Sequence, residues 1–199
     1  MKYEIVTLHT KTMLSGALKD AMRRKPLSKI TVSEIIQACG VNRKTFYYHF
    51  QDIYDLLKWT LEREAVEVVK NFDLLVNADD AISFVMDYVE ANRHILNCAY
   101  DAMGRDELRR FFYTDFIEIT LSLVEQAELH TGCQTDPEFK RFLAEFYTEA
   151  LAGMLINLFK AKDFPYSKAE IRENIILLLK TALPAALRAG AAKGAEHPF

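Results

Sequence analysis

Between residues 31 and 50 the chain encodes two short helices separated by a single glycine. Thr31-Val32-Ser33-Glu34 has the form of a capping box, in which the Thr31 hydroxyl accepts from the Glu34 amide and the Glu34 carboxylate reaches back. Val32, Ile35, Ile36 and Cys39 then recur as one apolar helix face. Gly40 stops the helix, because glycine takes the left-handed conformation that a tight turn needs. Val41 is the apolar residue of the turn, and Asn42 is a good N-cap for a second helix from Arg43 to about Phe50. An amphipathic segment precedes this pair over about residues 10–24, with Leu14, Ala17, Leu18 and Ala21 on one face and Pro26 ending it. Asp52 can cap a long helix running to about Phe72. Helices in this order, with a Gly turn between the second and third, predict a helix-turn-helix inside a small bundle.

The second short helix carries the chemistry. On a helical wheel Phe46 and Phe50 fall together, at i and i+4, as buried anchors. Lys44, Thr45, Tyr48 and His49 fall on the opposite arc, with Arg43 and Tyr47 between. A cation, a hydroxyl, a phenol and an imidazole can hydrogen-bond base edges and phosphates when a helix enters a major groove. The same arc also suits the wet face of an ordinary amphipathic helix. Charge leans toward the first reading. Residues 1–60 hold ten Lys and Arg against five Asp and Glu, whereas the remainder holds fifteen against twenty-three, which together give the net −3. A basic N-terminal module on an acidic body fits a polyanion partner for that module.

The rest of the chain keeps helical periodicity. Ile82, Val85, Met86, Val89 and Leu96 share a face, and a polar break at Asp101–Asp106 precedes an aromatic-rich helix over about Glu107–His130. Pro137 suits the first position of the next helix, which runs to about Lys160. Phe164-Pro165-Tyr166 is a turn. Ser167-Lys168-Ala169-Glu170 is a second capping box, opening a final helix to about Arg188 that Pro184 should kink or bring to its last turn, and Gly190–Phe199 frays. With only seven Gly and five Pro, loops are few and short. The fold expected is all-α, with a DNA-binding domain over 1–60 and a second domain over 61–199.

Other function classes find little support. No apolar run reaches the roughly 20 residues of a membrane span, and the N-terminus lacks a signal peptide's apolar core. The expectation is a cytoplasmic protein without a membrane partner. Cys39, Cys98 and Cys133 are odd in number and widely spaced, which suggests neither disulfides nor zinc, and Cys39 reads as a buried thiol. No phosphate loop, nucleophile elbow or metal motif is present in the sequence, so neither an enzyme nor a cofactor is expected.

The run Thr31–Ile36 followed by Cys39–Phe50 resembles the TetR family of transcriptional regulators, over about residues 8–60. The resemblance implies a three-helix DNA-binding domain, a connecting fourth helix, and a helical C-terminal domain that dimerises and often binds a small molecule. By position it implies phosphate contacts from Thr31 and Tyr47, and base or backbone contacts from Ser33, Arg43, Lys44, Thr45, Tyr48 and His49. The family usually has Lys where this chain has Ile53, near the start of the fourth helix, and nearby Lys58 is a candidate to supply that contact. Asp52-Ile53-Tyr54-Asp55-Leu56-Leu57 resembles a subgroup that includes dihydroxyacetone-kinase operon regulators, some of them activators working with a protein co-activator.

The run Ala150–Phe159, the Pro165 turn and the capping box at Ser167 are similar to the family's last two helices, which form a four-helix bundle with their symmetry mates. That resemblance implies a homodimer through Ala150, Gly153, Met154, Asn157, Ile175 and Leu179, with a palindromic double-stranded DNA operator. An intramolecular core helix is the alternative. Tyr88, His94, Tyr100, Met103, Phe112, Tyr113, Phe116 and Tyr147 form a candidate effector set, and packing in the core is again the alternative. Two regulators are consistent with the sequence: a repressor released by a small molecule, and an activator or regulator controlled by a protein partner. A helical enzyme or carrier without DNA leaves the 43–50 face unexplained. A closed cavity of about 300–1,000 Å³ in the C-terminal bundle favours a small effector, and a filled core with an exposed apolar patch favours a protein partner.

Overall fold

The computed structural model describes residues 2–71, 76–160 and 165–196, and among them there is no strand. The elements are α1 (Lys2–Met22), a 3₁₀ turn (Leu27–Lys29), α2 (Val32–Cys39), α3 (Arg43–His49), α4 (Ile53–Leu61), a π-helical segment (Glu62–Val66) and α5 (Glu67–Lys70). Then come α6 (Ala78–Ala91), α7 (Arg93–Met103), α8 (Arg105–Thr131), α9 (Pro137–Lys160), α10 (Lys168–Leu177), a second π-helical segment (Leu178–Ala182) and α11 (Leu183–Glu196).

The chain packs as two compact units, one of residues 1–67 with 92–108, the other of residues 68–91 with 109–199. In the first, α1 buries Leu14, Leu18, Ala21 and Met22, α3 and its C-cap bury Phe46 and Phe50, and α4 buries Leu56, Leu57 and Leu61. The Thr60 hydroxyl donates to the backbone oxygen of Leu56 at 2.8 Å and lies 3.0 Å from Ser15 Oγ, whose own hydroxyl can donate back to it, which ties α4 to α1 through satisfied buried groups. The helix-turn-helix unit does not end at residue 60. It takes in α7, whose Ile95, Leu96 and Ala99 are buried and whose Cys98 thiol lies 3.8 Å from the Met22 carbonyl.

Several boundaries differ from those read in the sequence, each for a local reason. The pattern from Ile82 to Leu96 reads as one face, but the helix breaks at Asn92, whose backbone leaves helical angles at φ −114° and ψ 17°. The final helical run is interrupted just ahead of Pro184, the residue expected to kink it or mark its last turn. Pro184 has no N–H and its ring crowds the carbonyl four residues earlier, and the π-helical turn of Leu178–Ala182 stands directly before it. The helix then continues through Gly190 to Glu196 instead of fraying. Gly190 lies against the Phe139 ring so closely that a Cβ there would stand 2.6 Å from the ring atoms. Phe72, Phe164 and residues 197–199 lie outside the described residues. Cys39 is half-buried, its thiol 3.3 Å from the Met13 carbonyl.

The core of the second unit gathers Leu123, Val124 and Ala127 of α8, Leu143, Ala144 and Tyr147 of α9, and Leu179, Leu183 and Leu187 of the last helical run. Thr135 fastens the α8–α9 connection to it by donating to the Leu187 carbonyl at 3.1 Å.

The turn between α2 and α3 depends on one backbone conformation. Gly40 has φ 65° and ψ 24° and directs its N–H back to the last turn of α2. A Cβ there would meet nothing within 4 Å. Gly40→Ala therefore introduces backbone strain without a clash, and should lower stability by about 1–2 kcal/mol. The measure is the midpoint of urea unfolding at unchanged slope.

Candidate nucleic-acid interface

The interface is built from two caps. At the start of α2 the Thr31 hydroxyl accepts from the Glu34 amide at 3.3 Å. The Glu34 carboxylate pairs with the Lys25 ammonium at 2.6 Å. That ammonium, more than the Thr31 amide, holds the carboxyl below its usual range. At the start of α3 the Asn42 side-chain oxygen Oδ1 accepts from both the backbone N–H and the hydroxyl of Thr45, at 2.8 and 3.1 Å. The Thr45 proton is thus committed to the cap, and its oxygen remains an acceptor.

Arg43 and Ser33 join the two helix starts. The guanidinium Nη2 donates to Ser33 Oγ at 3.1 Å, and both side chains are exposed. Phe46 is fully buried and Phe50 nearly so, with ring centroids 6.0 Å apart. Behind them Trp59 meets Phe50 edge to face at 5.8 Å, and the Lys11 ammonium sits 5.3 Å over Phe50 and 5.5 Å over Trp59. On the other side Lys44 is exposed, Tyr47 is 52% exposed and Tyr48 is 67% exposed. Thr31, Ser33, Arg43, Lys44, Tyr47 and Tyr48 are therefore all exposed, beside a half-buried Thr45 and His49.

His49 is the residue whose character the sequence leaves open. Its ring packs edge to face on Tyr48 at 4.9 Å. Burial pushes the imidazole pKa below its ordinary value, and the Lys11 charge pushes the same way. At neutral pH the ring is uncharged, so it offers one donor and one acceptor instead of a cation.

Lys58 stands apart from this set. Its half-exposed ammonium pairs with Glu107 at 2.9 Å, so a carboxylate already holds the charge that a phosphate would take. Ile53, at the position of the family's usual Lys, is 8% exposed and packs into the core of the first unit.

The candidate effector residues do not form one group. His94, Tyr100 and Met103 belong to the first unit, and Tyr88, Phe112, Tyr113, Phe116 and Tyr147 to the second. Phe112 and Phe116 stack at 5.7 Å, and Tyr147 is buried in the second unit's core. An apolar pocket of about 130 Å³, half open to solvent and smaller than the closed cavity expected of an effector site, lies in the second unit among α6, α8, α9 and α10, and of the eight candidates only Phe116 lines it. Its wall is made of aliphatic residues such as Ile82, Val85 and Leu151, which the search for aromatic and polar groups passed over.

The residues expected at a dimer face divide as well. Ala150 and Asn157 are exposed and Gly153 is half-buried, with nothing within 4 Å of a Cβ built on it. Met154, Ile175 and Leu179 instead line the cavity, and Leu179 is 5% exposed. The large exposed apolar side chains on these helices, among the described residues, are Phe142, Phe146, Leu177 and Leu178, which sequence reasoning missed. The signal was there for α9: Phe139, Phe142 and Phe146 fall at i, i+3 and i+7, and their rings stack in series at 6.3 and 6.4 Å.

Two family models match the chain. One, described as bacterial regulatory proteins of the tetR family, covers residues 17–58. The other, described as a transcriptional regulator C-terminal region, covers residues 77–181. A curated relative, the HTH-type dhaKLM operon transcriptional activator DhaS of Lactococcus lactis subsp. lactis (strain IL1403), is 28% identical over 93 residues. That match spans 47% of this chain and about half the length of the relative, 48%. A solved structure named dihydroxyacetone kinase operon activator DhaS is similar in fold, with a TM-score of 0.69 and 19% identity over 88% of this chain and 97% of its own.

Phe46 and Tyr48 lie two residues apart and should fail differently. Phe46→Ala empties a fully buried site and should cost roughly 3–5 kcal/mol of stability. Tyr48→Ala removes an exposed ring and should leave the melting temperature within about 2 °C while weakening DNA binding. Paired melting curves and gel-shift titrations separate the two, and equal destabilisation by both contradicts the assigned helix faces.

Proposed function

The chain belongs to the TetR family of bacterial regulatory proteins, and on that premise we propose that it is a dimeric, sequence-specific DNA-binding regulator in the cytoplasm and not a catalyst. One observation carries the reading. A seven-residue helix anchored by Phe46 and Phe50 turns Lys44, Tyr47 and Tyr48 outward, next to the exposed Arg43–Ser33 pair and the Thr31 cap. Thr31 and Tyr47 suit phosphates, while Ser33, Arg43, Lys44, Thr45, Tyr48 and His49 are the candidates for base or backbone contact. Lys58 is left out because Glu107 holds it.

A lone helix of this length reads few base pairs, so specificity calls for two, related by two-fold symmetry in successive major grooves over a palindromic operator. The helices proposed for that interface have apolar surface to bury. The run Lys168–Ala192 has a mean hydropathy of 1.5 in its most apolar stretch, yet only 17% of that stretch is buried within the protomer. By length and composition this run and α9 resemble membrane spans, but α9 buries Leu143, Ala144, Tyr147, Ala152, Ile156 and Phe159 inside its own unit. A helical partner covers the remainder in the reading favoured here.

The control of the regulator has two forms. A small effector acting on a repressor would have to enter the half-open apolar pocket of the second unit, which at about 130 Å³ is smaller than the space such ligands usually fill. Control by a protein partner, in an activator or a repressor, is supported by the exposed Phe142 and Phe146 and by the name of the curated relative, a transcriptional activator.

Selection of bound duplexes from a random pool, followed by titration at several salt concentrations, tests the DNA-binding reading. A dimer neutralising about six phosphates should lose roughly a thousandfold in affinity between 50 and 200 mM salt. A flat salt response, or no enriched sequence, contradicts it. Sedimentation tests the dimer. Gly153→Leu has room within the protomer, so its effect reports on a partner. The wild type should sediment as a dimer at micromolar concentration and Gly153→Leu as a monomer with weakened operator binding. A monomeric wild type overturns the dimer, and a normal Gly153→Leu dimer moves its interface elsewhere.

A further inference from the structure

Lys11 is a half-buried cation that no carboxylate neutralises. In the first unit Lys19, Lys25 and Lys58 each pair with an acidic side chain, whereas Lys11 forms no ion pair among the described residues. Its side chain leaves α1 and carries the ammonium to 5.3 Å over the Phe50 ring and 5.5 Å over the Trp59 ring. The ring faces attract the charge, but they supply none of the three N–H donors with an oxygen acceptor. Both the charge and the donors are left for an anion.

The place of the ammonium says which anion. Phe50 is the C-cap of α3, so Lys11 is held at the end of that helix. Its charge reaches the His49 imidazole, whose ring packs on the exposed Tyr48 at 4.9 Å. Helical spacing puts Arg43 and Tyr47 on one flank of α3, and Thr45 and His49 on the other. A helix lying in a major groove about 12 Å wide has a phosphate strand on either side. The first flank meets its strand with the Arg43 guanidinium and the Tyr47 phenol. On the second, Thr45 spends its proton on Asn42 and has no donor to give. The neutral His49 ring has one. Lys11 is the cation beside that flank.

We propose that Lys11 is a further DNA-contacting residue, whose ammonium takes a backbone phosphate of the strand along the Thr45–His49 flank, with the His49 ring N–H as companion donor. The assignment rests on the DNA-binding reading above. Lys11 precedes residues 17–58, which the tetR-family model covers, so the contact belongs to this chain's own α1. Held over two rings, the Lys11 stem has already given up rotamer freedom, and less is lost when the phosphate arrives.

The test titrates the full chain against a random-sequence duplex of about 30 base pairs at several salt concentrations, because phosphate contacts need no operator. Lys11→Met keeps the stem over the rings and removes the charge. It should lower the slope of log affinity against log salt by about 0.9 per bound protomer, a loss of roughly tenfold at 50 mM salt. Its melting temperature should stay near that of the wild type, and Lys11→Arg should restore slope and affinity. Lys19→Met removes the same charge from the pair with Glu64 and should leave the slope unchanged. If Lys11→Met does not fold, acetylation of the wild type, read by mass spectrometry, decides the matter: bound duplex should slow acetylation of Lys11 several-fold. An unchanged slope in Lys11→Met, an equal fall in Lys19→Met, or equal acetylation of Lys11 with and without duplex overturns the contact alone. A wild type that binds no duplex at any salt concentration sinks the DNA-binding reading, and the contact with it.

Discussion

A helix of seven residues is too short to persist in water by its own hydrogen bonds, so α3 exists because Phe46 and Phe50 are driven out of water one turn apart. Phe46 is fully buried, and Phe50 is held between it and Trp59 with the Lys11 ammonium over the rings. Everything that can meet a nucleic acid follows from this anchoring, because it fixes the azimuth of the helix and hence which residues remain outside. The caps at Thr31 and Asn42 then fix the two helix starts, and the αL glycine between them sets the turn. Arg43, bonded to Ser33, leaves its fork pre-oriented across both starts, which lowers the entropy lost when it meets a base or phosphate.

Charge plays a smaller part than the first 60 residues suggest. The compact unit also includes residues 61–67 and 92–108, and over its full extent it carries thirteen Lys and Arg against eleven Asp and Glu, a net of +2. Lys19, Lys25 and Lys58 each pair with a carboxylate, at 2.6, 2.6 and 2.9 Å. Partly exposed pairs of this kind add little stability, but they localise charge. Arg43 and Lys44 stay exposed at the α2–α3 edge, as do Arg24 and Lys29 elsewhere in the unit.

What was legible in the sequence is what is decided locally. Caps at Thr31, Asn42, Asp52 and Ser167 are all formed, and the last is a reciprocal capping box with Glu170. The Phe46/Phe50 face needed only helical spacing. Features decided by distant neighbours were not legible. Lys58 reads as an available cation until Glu107, 49 residues away, is brought beside it. The break at Asn92 interrupts an unbroken apolar pattern, because Leu96 serves the first unit and Val89 belongs to the second. The cavity was missed for a different reason. Aromatic and polar residues attract attention as ligand contacts, yet this wall is aliphatic, and an aliphatic stripe looks the same in sequence whether its far side is filled or empty.

The same ambiguity explains why α9 has to serve two surfaces. A helix whose apolar residues run all round has no face suited to water. One side of α9 enters the core through Leu143, Ala144, Tyr147, Ala152, Ile156 and Phe159. The other side carries Phe142 and Phe146, more than half exposed, with Ala150, Gly153 and Asn157 farther along. Phe142 and Phe146 stack along the helix with ring centroids 6.4 Å apart. Large rings toward the N-terminal half of that side and small residues toward the C-terminal half make it taper, so a surface that covers it has to be thin opposite the rings and bulky opposite Ala150 and Gly153.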